Sequence, residues 1–302
     1  MTLLRLPVLL RSLLVGCALI ASVLATGCTR ITFTVANIGV DSSAITSVAF
    51  DPAHALSLDV HRPAHAHGHA PVVVFFYGGS WRNGTRQDYR FVGQSLARAG
   101  LLVIVPDYRK APQVAFPAFI EDSARAVAWA KLHAAEYGGD PSRIFLVGHS
   151  SGAHMAALLG ADGRFLRAVG MQPRDLAGII GLAGPYDFLP LTDPDLMEVF
   201  GAASEWPKSQ PVNFVDGDEP PFLLFQGTAD TLVRPANAPS MAAKLRAARE
   251  PVELHMLEGV SHAGLLVDLL RDSSPVRQQV LGYLQSNTTA TSDARPRSPP
   301  TR

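Results

Sequence analysis

Leu146-Val147-Gly148-His149-Ser150-Ser151-Gly152-Ala153-His154 is the stretch whose reading decides the fold. Just upstream, Arg143-Ile144-Phe145-Leu146-Val147 is short, apolar and rich in β-branched and aromatic residues, which predicts a buried strand. Downstream, the small residues from Ala153 to Leu159 predict a helix. Gly-x-Ser-x-Gly between a strand and a helix describes a nucleophile elbow, a strained turn that pushes the Ser150 hydroxyl out of the sheet. Gly148 and Gly152 are needed there because side chains would collide with the neighbouring strand or helix. The helix N-terminus behind Ser150 favours the negative charge that develops in acyl transfer. The competing reading is a glycine-rich turn whose serine does no chemistry.

Working outward, the chain alternates apolar strand patterns with helical ones and shows no repeat, which predicts one α/β domain with a parallel sheet. Ile45 to Phe50 and Leu56 to His61 read as early strands. Val72-Val73-Val74-Phe75-Phe76 reads as a central strand covered on both faces. It runs into Tyr77-Gly78-Gly79-Ser80-Trp81, whose glycine pair can turn backbone N–H groups toward a site. Tyr89 to Ala99 predicts a helix, Leu101 to Val105 a strand, and Asp107-Tyr108-Arg109 a loop braced by an Asp–Arg pair. Residues from Pro117 to His133 predict the next helix, stopped by Gly138-Gly139-Asp140-Pro141. Leu176 to Leu182, Phe222 to Gln226 and Val252 to Leu257 supply further strands, with a helix from Ala238 to Ala248. The Pro- and Asp-rich stretch from Phe188 to Pro221 is expected to cap a pocket, and Leu265 to Leu284 to close the fold as one amphipathic helix.

Ser150, Asp230 and His262 follow one another in chain order, the last two each just past a predicted strand, where parallel sheets collect their sites. A serine hydroxyl needs a base to become a nucleophile. His262 can take and return that proton, and Asp230 can hold the imidazole tautomer. Asp187 is the alternative acid, and a turn-forming role is its plainer reading. His149 and His154, beside the nucleophile, read as residues that line or brace the site. Acyl transfer also needs donors for the tetrahedral oxyanion, each worth about 3 kcal/mol. The backbone N–H of Ser151 is one candidate. Gly79 and Ser80, with Gly78 in the same loop, supply the others.

Composition narrows the classes. In 302 residues, Lys+Arg and Asp+Glu are both 26, and with no long basic run nucleic acid is not an expected partner. The histidines among His61, His65, His67 and His69 have a metal-like recurrence, but no carboxylate or cysteine nearby completes a ligand shell, so the stretch reads as a loop and no metal is expected. Both cysteines, Cys17 and Cys28, lie near the N-terminus. Residues 1–28, with Arg5 and Arg11 ahead of an apolar run from Leu13 to Leu24, read as a signal peptide. Leu24-Ala25-Thr26-Gly27-Cys28 resembles a lipoprotein signal, which predicts export and membrane attachment only through a lipid on Cys28. An ordinary cleaved signal and a retained anchor are the other readings of this segment. Residues 29–285 are then the catalytic domain, and 286–302, dominated by Thr, Ser, Pro and Arg, a tail predicted to be disordered.

Together, Tyr77-Gly78-Gly79-Ser80-Trp81, Asp107-Tyr108-Arg109, Tyr137-Gly138-Gly139-Asp140-Pro141, the elbow, Gly227 with Asp230, and Ser261-His262 resemble an α/β-hydrolase esterase group. That group includes kynurenine formamidases, isoprenylcysteine methylesterases and hormone-sensitive-lipase-like carboxylesterases. The resemblance runs from Leu56 to Leu284. It implies the α/β-hydrolase fold, a mostly parallel central sheet with helices on both faces, and no cofactor. Members typically carry His-Gly-Gly-x-Trp as the oxyanion loop, and here Tyr77 stands where that histidine stands. The elbow is closer to formamidases and methylesterases than to lipase-like members, which usually have Asp before the serine. The function so implied is hydrolysis of small carboxylic esters through an acyl-enzyme. An amidase or arylformamidase is the near alternative, and a catalytically silent binding protein the distant one.

Overall fold

Eight strands run through the computed structural model, which describes residues 33–64 and 69–286. The expectations on residues 1–28, Cys28 included, lie outside the described residues, as do residues 287–302 of the tail. Contacts divide the chain into one unit ending at Val40 and another starting at Asp41. In the first, residues 33–36 form a helical turn closed by Asn37, whose N–H and side-chain amide both donate to the Phe33 carbonyl. No helix among the described residues is long and apolar enough to cross a membrane.

The second unit contains, in chain order, β1 (Ile45–Asp51), β2 (Leu56–His61), β3 (Ala70–Phe76), α1 (Arg90–Arg98), β4 (Leu102–Pro106) and α2 (Ala118–His133). Then follow β5 (Gly139–His149), α3 (Ser151–Ala161), α4 (Gly163–Arg167), β6 (Gly178–Leu182) and α5 (Pro194–Phe200). β7 (Phe222–Gly227), α6 (Asn237–Ala247), β8 (Val252–Leu257), α7 (His262–Leu270) and α8 (Pro275–Ser286) complete it. The strands form one sheet in the order β1-β2-β4-β3-β5-β6-β7-β8. β2 pairs antiparallel with β1 and β4, and every other pairing is parallel. This is the α/β-hydrolase arrangement, with β3 and β5 side by side at its centre.

Continuous apolar runs are central strands because both faces of a parallel sheet are covered. Val72 to Phe76, Leu102 to Val105 and Ile144 to Val147 are all fully buried. Each such side chain contributes roughly 1.5–3 kcal/mol of transfer free energy, enough to hold the register that aligns the strand ends. Those C-terminal ends carry the Tyr77–Trp81 loop, Ser150, Asp230 and His262.

Two expectations at the C-terminal end of the fold change. The C-terminal helix is two helices, because Arg271 leaves α7 extended and Pro275 has no N–H to continue it. Ser274 restarts the chain as a cap, its hydroxyl accepting from the Val276 N–H at 3.2 Å. Ser286, placed by composition at the start of the tail, is the last residue of α8.

Candidate active site

The elbow between β5 and α3 is strained. Ser150 has φ +57° and ψ −126°, a region that non-glycine residues rarely adopt. Its N–H donates to the Leu182 carbonyl at 2.9 Å, and its own carbonyl accepts from Ala153 and His154, so strand β6 and helix α3 hold the turn from both sides. The glycines make this geometry possible. A Cβ on Gly148 would lie 2.3 Å from the Gly152 carbonyl carbon, and one on Gly152 would lie 2.0 Å from the Phe76 oxygen.

His262 opens α7 and Asp230 follows β7. Their side chains meet, His262 Nδ1 to Asp230 Oδ2 at 2.8 Å. Asp230 is buried, and its Oδ1 also accepts the N–H groups of Leu232 and Val233, each at 2.9 Å. Gln226 donates to Oδ2 at 3.1 Å. Burial is the largest single influence and opposes ionisation, but the Val233 N–H, the His262 ring and the Leu232 N–H together outweigh it and hold this carboxyl below its usual range. An ionised Asp230 only accepts, so His262 Nδ1 donates in this contact, and in the neutral ring Nε2 is the nitrogen left to accept a proton. Asp187, the alternative acid, is elsewhere: it accepts from the Ser240 hydroxyl at 2.5 Å and its N–H donates to Asn237.

The loop after β3 passes beside the elbow. A Cβ on Gly78 would come within 3.1 Å of the Ser150 Cβ. Gly79, Ser80 and Trp81 all have positive φ (+135°, +54°, +56°), and the Gly79 carbonyl accepts from Arg82 and Asn83 at 3.0 and 2.9 Å. Among the described residues, the N–H groups of Gly79, Ser80 and Ser151 have no backbone acceptor. Tyr77 anchors this loop. Its ring stacks on Tyr89 and Tyr108 with centroids at 5.2 and 4.8 Å, and its hydroxyl donates to Asp107 at 2.8 Å. Asp107 is held in turn by Arg86, which bridges to the buried Asp59, itself bonded by Arg90. The Asp–Arg pair expected within Asp107-Tyr108-Arg109 does not form. Arg109 instead bonds Asp122 of α2, because successive loop residues point to different neighbours.

Ser80, Trp81, Ser150, Ser151 and His262 line one cavity of about 320 Å³, closed by Phe188, Leu191 and Leu196 of the expected cap segment. Buried His154 on α3 pins that segment, Nε2 meeting the Ser209 carbonyl at 2.7 Å, with its ring edge-on to Trp81 and Phe188. A larger cavity of about 510 Å³, near Phe116, Phe165 and Lys208, touches none of the candidate catalytic residues. His61 of the histidine-rich stretch is buried in β2, and residues 65–68 lie outside the described ones. Asp51, His54 and Asp122 bring ligand atoms within 4.8 Å of one another, but Arg125 bonds both carboxylates, so guanidinium charge already answers theirs.

The sequence model of the BD-FAE family matches residues 58–245, more than half of the chain. The chain belongs to the BD-FAE family. Its similarities agree with the fold of this BD-FAE member. A probable isoprenylcysteine alpha-carbonyl methylesterase of Arabidopsis thaliana, ICMEL1, is 29% identical over 232 residues, 70% of this chain and 49% of that protein. Esterase LipQ of Mycobacterium tuberculosis is 32% identical over 249 residues, 75% of this chain and 58% of its own length. The chain thus spans about half the length of the curated relatives it matches. Among solved structures, a truncated carbohydrate esterase from gut microbiota superposes with a TM-score of 0.71 at 20% identity, over 82% of this chain and 99% of that one. The propionate-bound esterase 2 of Thermogutta terrifontis gives 0.66 at 24%, over 80% and 92%. At such identities the likeness establishes the fold.

The Tyr77–Asp107–Arg86–Asp59 chain and the contacts of His149 and His154 escaped the sequence reading. Tyr77 in place of the group's histidine was the one signal pointing to the first.

Proposed function

We infer that this BD-FAE member is a serine hydrolase that cleaves carboxylic esters of small molecules through an acyl-enzyme. The observation that carries this is the His262–Asp230 contact, with His262 and Ser150 opening on the same cavity. Relatives named esterases and carboxylesterases support it, as does the volume of the cavity, which suits a small substrate.

In this reading Ser150 Oγ attacks the ester carbonyl carbon as His262 Nε2 takes the hydroxyl proton. The carbonyl π pair moves onto oxygen. The N–H groups of Gly79, Ser80 and Ser151 donate to the oxyanion, and Gly78 lets that loop lie against the nucleophile. Collapse expels the alcohol, protonated by His262, and leaves an acyl group on Ser150. His262 then deprotonates water, whose attack releases the carboxylic acid and returns the proton to Ser150. Asp230, ionised throughout, keeps the ring in one tautomer and stabilises its cationic form.

A chain-length series of p-nitrophenyl esters with the purified full chain tests this. Turnover is expected, lost by at least about a thousandfold in Ser150→Ala. A folded wild type that hydrolyses neither these esters nor N-formyl amides, and is not labelled by a fluorophosphonate, would overturn the reading. Export with lipid attachment at Cys28 belongs to the same proposal and rests on the sequence of residues 1–28.

A further inference from the structure

His149 is the residue of the elbow just before Ser150, and the mechanism above does not use it. It is the last residue of β5, paired in register with Leu182 of β6. Its ring is buried and leans on the His262 ring, with centroids 4.8 Å apart and planes at 48°. Its Nε2 lies 3.1 Å from the backbone carbonyl oxygen of His262. A carbonyl only accepts, so Nε2 carries the proton and donates, which leaves Nδ1 bare. Nδ1 has no hydrogen-bond partner among the described residues, and a Cβ on Gly78 would lie 3.3 Å from it. The ring therefore stands between the loop after β3 and the loop that carries His262.

That second loop needs an anchor. Glu258, Gly259, Ser261 and Ala263 are exposed, and the loop's other ties run to the segment after β7: Gly259 N–H to the Thr228 hydroxyl at 2.9 Å, and Ala229 N–H to the Val260 carbonyl at 3.1 Å. These hold His262 relative to Asp230. The His149 bond instead ties His262 to β5, the strand that presents Ser150.

We propose that His149 is a positioning residue that sets the distance between the His262 imidazole and Ser150, through its Nε2–H bond to the His262 carbonyl and its ring contact. The proposal rests on the serine-hydrolase reading for its kinetic consequence and on geometry alone for its structural one. Positioning within about an ångström is worth a large factor in rate, and it acts on the chemical step rather than on substrate binding.

The test compares full-length wild type with His149→Phe, which keeps a ring and loses the donor, and His149→Gln, whose amide nitrogen can stand where Nε2 stands. His149→Leu serves in place of His149→Phe if the latter does not fold. On p-nitrophenyl acetate, His149→Phe is expected to lower kcat at least tenfold with KM within about twofold. His149→Gln is expected to recover kcat to within about threefold of wild type. A second readout needs no turnover: crystal structures of the variants should show the His262 Nε2–Ser150 Oγ separation kept in His149→Gln and lengthened in His149→Phe, while the downfield Nδ1–H resonance of His262, which reports the Asp230 contact, persists in both. Wild-type kcat and an unchanged separation in His149→Phe would overturn the proposal, as would a His149→Gln variant as impaired as His149→Phe. If wild type itself turns over no ester, the hydrolase reading fails, and the separation still decides the role of His149.

Discussion

Acidification should destabilise this protein through three buried imidazoles. His61, His149 and His154 are each pushed down to about 4, chiefly by burial, from an ordinary value of 6.5. Among the described residues, each has a buried ring nitrogen without a partner: Nε2 of His61 and Nδ1 of His149 and His154. A proton placed there would find no acceptor, which is why the charged form is costly. Between pH 6.5 and 4 the unfolded chain therefore binds more protons at these sites than the folded one, so stability rises with pH across that window and is lost as pH falls. At pH 5 the loss relative to neutral pH is about 2 kcal/mol for each ring and about 6 kcal/mol for the three. A domain is typically stable by about 5–15 kcal/mol, so the effect is large. Asp51, Asp59 and Asp230, held below their usual range by donors that outweigh their burial, stay ionised in both states above pH 5. Glu219 and Glu250, raised by burial, act in the opposite sense and reduce the net uptake below that of the three imidazoles alone. Urea unfolding followed by tryptophan fluorescence from pH 5 to 7.5 measures this directly. His61→Leu should lower the slope by about one proton while the denaturant m-value stays constant. A wild-type slope of less than one proton per molecule between pH 5 and 6 would refute the reasoning.

Tyr77→Phe keeps the ring stack and deletes the bond to Asp107, leaving Asp107 to Arg86. A hydrogen bond to a charged group is worth about 1.5 kcal/mol, so kcat on p-nitrophenyl acetate should fall about tenfold with KM little changed; an unchanged kcat would show that stacking alone places the loop. Metabolic labelling with a palmitate analogue in a bacterial host that processes lipoproteins should mark the chain and not Cys28→Ala, and equal labelling of both would remove the anchor from the proposal.

Much of the site was legible because local chemistry dictates it. The elbow is one continuous stretch, its glycines are required by approaches as close as 2.0 Å, and strands as apolar as β3 and β5 have no stable place except the sheet centre. Asp230 and His262 were readable because parallel strands deliver their C-terminal ends to one edge, whatever the loops between them do. The single helix expected from Leu265 to Leu284 failed on a local signal, Ser274-Pro275, that the apolar periodicity concealed.

The sequence by itself determined the order of the strands along the chain, the strained serine turn and the three residues of its proposed chemistry, since each follows from short-range sterics or from burial of an apolar run. Only the tertiary structure decided which cation answers which carboxylate, that Asp107 serves Tyr77 and Arg86 while Arg109 serves Asp122, and that His149 reaches a carbonyl 113 residues further along. Those choices depend on the register and twist that bring distant side chains within 3 Å or so of one another, and a hydrogen bond of that length leaves no trace in residue spacing.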